Sequence, residues 1–171
     1  MIGEFLGSAD LSFNLRDTVS HLIKLALAYV LALPIGWNRE QEERSAGIRT
    51  FPLVAMAACG FVTIAVEVLG GNSAEQAKVM EGLITGVGFI GGGAILKQGD
   101  RATGTATAAS LWATGAVGVA VGYGLIDIAV ILSIVTYIAL RFLSPLKAVA
   151  RDTSASDTDL VTQSAGGDAK L

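Results

Sequence analysis

Five stretches of this chain are apolar on nearly every side: Leu22–Trp37, Phe51–Leu69, Val79–Leu96, Thr105–Val121 and Ile126–Leu143. Each approaches the roughly 20 residues, with about 17 as a lower bound, that a helix needs to cross a hydrocarbon core. Strands of a membrane barrel would alternate apolar and polar positions over ~10 residues; these runs do not alternate and are rich in Gly and Ala, so the pattern predicts helices. The first run is short and holds Lys24 and Pro34. It is expected to extend back to Thr18, with Lys24 reaching for the interface and Pro34 kinking the last turn.

Composition agrees with a solvent other than water. Charged residues make up 16% of the 171 residues, against about 25% in soluble domains. The reading is an all-α, polytopic membrane bundle of about five transmembrane helices. It has an extracytoplasmic segment at 1–17 that is either a short interfacial helix carrying Ile2, Phe5 and Leu6 or a frayed terminus, a transmembrane domain at 18–143, and a disordered cytoplasmic tail at 144–171. The first 21 residues carry Glu4, Asp10 and Asp17 against Arg16 alone, so no cleaved signal peptide is expected. Of the 12 Lys and Arg, nine fall on the side of the 38–50 loop, the 97–104 loop and the tail, and three on the other. That asymmetry places the amino terminus outside and the carboxyl terminus in the cytoplasm of a bacterial inner membrane. Net charge of −3 leaves no basic stripe for nucleic acid. Cys59 is the single cysteine and lies in an apolar run, which reads as a small buried hydrophobe.

The third and fourth spans hold most of the information. In lipid, small residues at four-residue spacing let helices approach closely; Gly82/Gly86, Gly88/Gly92, Ala109/Ala113 and Gly118/Gly122 make four such pairs. Glycine around much of the third helix predicts a central position for it. Gly86-x-Gly88-x-x-Gly91 also matches the dinucleotide-binding fingerprint, but that motif has meaning only between a strand and a helix, so it is rejected.

These segments resemble the MgtC/SapB family of bacterial inner-membrane proteins. Gly86, Gly88, Phe89, Ile90, Gly91 and Gly93 fill one family motif; Gly104, Thr105, Thr107, Ala108, Ala109 and Trp112 fit a second. In the first loop, Gly36-Trp37-Asn38-Arg39-Glu40 and Ala46-Gly47-Ile48-Arg49-Thr50-Phe51 are similar to two more, so the likeness covers roughly 20–143. The departures are Asn38 where an acid is usual, Phe51 where His is common, and Glu81 where an amide is expected. The resemblance implies association with growth at low Mg²⁺, with acid or host-associated stress (virulence in some members), and in some members with restraint of the F-type ATP synthase. Some members carry a soluble carboxyl-terminal domain, and functions that depend on that domain are not carried over.

Glu67, Glu81 and Asp127 are the candidate metal-binding residues, all near outer helix ends. Together with Asp17 and His21 they would form an acidic vestibule for hydrated Mg²⁺ or protons; separately, each is a solvated acid at headgroup level. On the cytoplasmic side, Arg49 would pair with Glu40, pinning the loop, or bind lipid phosphate. Trp112 reads as a packing residue. His21 is the only histidine and no nucleophile, base and orienting acid can be placed together, so no enzyme and no cofactor are expected. Two functions stand: a non-catalytic regulator that contacts a membrane-protein partner or forms a homo-oligomer through its small-residue faces, or a small oligomeric Mg²⁺ or cation transporter with Gly91–Gly93 unwound at a site between spans.

Overall fold

The computed structural model describes residues 14–42, 46–70, 73–98 and 101–142; the expected interfacial segment and tail lie almost wholly outside these. Five helices are present among the described residues: α1 (Leu15–Gln41), α2 (Thr50–Leu69), α3 (Ser73–Gly93), α4 (Thr105–Gly122) and α5 (126–142). Helix α1 starts earlier than expected because the Asn14 side chain accepts from the Arg16 N–H at 3.1 Å and caps the first turn. Pro34 sits inside the helix, which runs on to Gln41. Helix α3 also starts early, at Ser73, through a polar turn in which Lys78 and Glu75 pair at 3.0 Å.

Between α3 and α4 the chain forms a small antiparallel hairpin of β1 (Leu96–Gln98) and β2 (Arg101–Thr103), where a plain loop was expected. Gly104 then turns the chain into α4 with φ +86°, and a Cβ there would lie 2.0 Å from the Ala94 carbonyl oxygen. The left-handed backbone and the missing side chain are both required.

Helices α1, α2 and α4 are each long and apolar enough to cross a membrane, and the protein is an all-α membrane bundle. Its centre is α4. Leu111, Thr114, Gly115, Val117, Gly118, Val121 and Gly122 of α4 are buried, and the core they join is built of Ala28, Ala32, Ala55, Cys59 and Ala129. The packing depends on missing atoms: a Cβ on Gly118 would stand 2.0 Å from the Ala55 carbonyl oxygen, and one on Gly122 would stand 2.7 Å from Val62. Backbones that approach this closely gain dispersion contact, the main source of helix association where lipid replaces water.

The expectation that α3 would be central is overturned. Val87 and Gly91 are its buried residues among those described. Gly91 rests on the Ala108 backbone and Val87 against Gly115, while Gly82, Gly86, Gly88, Gly92 and Gly93 would each admit a Cβ with no atom within 4 Å. Glycine shows where a helix can be approached. Whether a neighbour takes up the offer depends on the neighbour's own face.

Candidate functional site

The first loop is folded into a clasp. Gly36 lies against Ile48 and Phe51, close enough that a Cβ would meet the Ile48 Cα at 3.1 Å. The Glu40 carboxylate accepts from the Ile48 N–H at 3.1 Å, and Gly47 is bare where Glu40 passes. The Gly47 carbonyl accepts in turn from the N–H groups of Thr50 and Phe51, starting α2. Glu40 therefore holds the loop through the Ile48 backbone N–H, and not through the expected pair with Arg49. Phe51 is fully buried with Ile35, Ala46, Leu111 and Leu140, which explains how an apolar ring serves where His is common.

Arg39 is the largest fully buried side chain, 1% exposed. Its guanidinium donates to Asn38 Oδ1 at 2.7 and 3.2 Å and to Glu42 Oε1 at 2.9 Å. A buried cation survives only when paired and hydrogen-bonded. The amide oxygen of Asn38 thus supplies an acceptor at the position where an acid is usual. Glu42 was not singled out from sequence; its position three residues after Arg39 on a helix was the available signal.

Arg49 differs. It is exposed and, among the described residues, has no hydrogen-bond or ion-pair partner; Thr50 is half-buried, and its hydroxyl has no partner among the described residues either. Both border an apolar groove of about 690 Å³ between α2 and α3, lined further by Leu53, Ala57, Phe61, Gly82, Gly86 and Ile90. Trp112 is 53% exposed and lines a second apolar groove with Val87 and Leu132.

Along α4, Thr107, Ser110 and Thr114 are buried. Ser110 donates to the Thr107 carbonyl at 3.0 Å and Thr114 to the Ser110 carbonyl at 2.8 Å, so their protons are held within the helix. Thr105 is exposed. Gly91–Gly93 are helical and not unwound.

At the opposite end from the clasp, His21 Nε2 and Glu67 Oε1 come to 3.5 Å, both partly exposed. Asp17, Glu81 and Asp127 are exposed. No group of three or more His, Cys, Asp or Glu able to hold a metal gathers among the described residues. Lys24 donates to the Gly122 carbonyl at 3.5 Å, near the carboxyl end of α4, where a cation complements the helix dipole.

The all-α bundle, with its central small residues, clasped first loop and buried arginine, defines a helical membrane protein. The chain belongs to the MgtC family, whose pattern it matches over residues 25–149. It is 36% identical over 139 residues to the uncharacterized protein slr0014 of Synechocystis, covering 81% of this chain and 58% of that protein. It is 39% identical over 125 residues to the protein MgtC of Brucella abortus, covering 73% of this chain and 52% of that one. To the Escherichia coli K12 protein named "Putative magnesium transporter YhiD" it is 31% identical over 130 residues, 72% of this chain and 60% of the other. The chain thus spans little more than half the length of these relatives. No solved structure matches it.

Proposed function

We propose that this chain is a non-catalytic, multi-pass protein of the bacterial inner membrane, amino terminus outside and carboxyl terminus cytoplasmic, that modulates a membrane complex in Mg²⁺ homeostasis and acid or low-Mg²⁺ stress. The observation that carries this reading is the face of α3 turned away from its groove with α2, where Gly88 and Gly92, one turn apart, are exposed and unopposed. Such a face lets another membrane helix approach to backbone distance. The name of the Escherichia coli relative supports the Mg²⁺ connection.

A Mg²⁺ transporter is the second reading, favoured by the name of the Escherichia coli relative. Against it, Gly91–Gly93 stay helical and the Ser110 and Thr114 hydroxyls donate to their own helix, so the described residues hold no broken-helix site of the kind carriers use.

Flux into proteoliposomes separates the two. Under an imposed Mg²⁺ or proton gradient the purified protein is expected to give no flux above empty liposomes. Flux that Glu81→Gln abolishes would establish transport instead. In cells lacking the native gene, Gly88→Leu should remain folded in the membrane yet fail to support growth at low Mg²⁺; full support from that variant would remove α3 as the acting face.

A further inference from the structure

We infer that the groove between α2 and α3 is a binding site for one anionic phospholipid, its acyl chain lying along the helices and its phosphate on Arg49. The inference uses the orientation proposed above but neither Mg²⁺ nor a protein partner, so it stands or falls separately.

Three observations meet at this groove. Its volume of about 690 Å³ and its lining of Leu53, Ala57, Phe61 and Ile90 suit a hydrocarbon chain. It exists because Gly82 and Gly86 have no side chain to fill it; a Cβ at either meets nothing within 4 Å. Among the described residues its one cation is at one end: Arg49 is exposed and without a partner, beside a Thr50 hydroxyl that is also unpartnered.

The charge complementarity is specific to that end. The nearby Arg39 is spent on Asn38 and Glu42 and is buried, so it offers nothing to a ligand. The N–H groups of Thr50 and Phe51 are spent on Gly47, and Pro52 has none. What remains is a planar guanidinium and a hydroxyl at the side that the Lys and Arg distribution makes cytoplasmic, where anionic headgroups attract basic side chains. Guanidinium groups bind phosphate oxygens in bidentate fashion. A phosphate there with its acyl chain in the groove would satisfy both donors and fill the space the two glycines leave.

Native mass spectrometry of the full chain in mild detergent, with equimolar phosphatidylglycerol and phosphatidylcholine, tests this. One retained phosphatidylglycerol is expected, favoured over phosphatidylcholine about fivefold, the ratio one basic side chain near a membrane surface confers. Arg49→Gln should bring the ratio to parity while some lipid is still retained. Gly86→Leu should lower retention of both lipids by filling the groove. Lys78→Gln, on a charge outside the groove, should change neither. Inorganic phosphate in excess should not displace the lipid; displacement would reassign Arg49 to a free phosphate and overturn the site. Equal retention of the two lipids by the unaltered chain would overturn it as well. So would a dimer whose stability Gly86→Leu abolishes and phosphatidylglycerol does not affect, because a second copy would then fill the groove. Helicity by circular dichroism checks that each variant is folded.

Discussion

Helices α3 and α4 are both glycine-rich, and they sit in opposite surroundings. In α4, Gly115, Gly118 and Gly122 are buried, with neighbours where their side chains would be. In α3, Gly82, Gly86, Gly88, Gly92 and Gly93 face open space, and Phe89 is 83% exposed. The difference lies in the partners. Helix α2 presents Ala55, Cys59 and Val62 to α4, a face small enough to let the backbones close. Toward α3 it presents Leu53 and Phe61, which line the groove and are themselves more than half exposed. The same composition therefore makes a core in one helix and an unfilled surface in the other.

The sharpest way to break this contrast is to place one substitution in each helix. Gly118→Val puts a branched side chain into the Ala55 backbone, which cannot rotate away. We expect loss of the folded protein, at the upper end of the roughly 1–3 kcal/mol or more that overpacking costs. Gly86→Val should shift the unfolding midpoint in mixed detergent by less than about 0.5 kcal/mol. Equal damage from both would mean that α3 is packed in the membrane by something outside this chain.

The charges give a second contrast of smaller size. Arg39→Met takes the guanidinium away from the buried Asn38, while Glu42 is reached by solvent, which should cost about 1–3 kcal/mol. Arg49→Gln, at an exposed and unpartnered position, should cost less than about 0.5 kcal/mol. The same unfolding titration reads both, and a large effect at Arg49 would point to a structural partner for it.

The finest probe is a matched pair of threonines. Thr114 and Thr85 each donate to the carbonyl four residues back, at 2.8 and 2.9 Å, but Thr114 is buried and Thr85 exposed. Thr114→Val should cost about 0.6 kcal/mol, the average for side-chain hydrogen bonds inside membrane bundles. Thr85→Val should be neutral. Reversed order would place the polar environment on the α3 side.

Much of this was legible in the residues. The five apolar runs predicted the five helices, with their ends displaced where polar turns such as Asn14–Leu15 or Ser73–Lys78 extend them by local capping and pairing. The two first-loop motifs announced a unit, and Glu40 holds it through a bond other than the expected one. The partner of Glu40 was misjudged because a carboxylate near an arginine invites an ion pair, while the nearer donor was the Ile48 N–H. The acids near the far helix ends are each recognisable as ionisable groups close to a membrane surface. Their separation was not readable, because helices of one register can be turned about their axes at no cost to their hydropathy.

The sequence by itself determined that the chain leaves water, where its helices run, and which family it joins, because these follow from summed apolar length and from local motif spacing. Only the tertiary structure decided which glycines are packed, which arginine is buried, and that α4 and not α3 is the centre. Those outcomes depend on the shape of the facing surface, and a residue without a side chain carries no record of what stands opposite it.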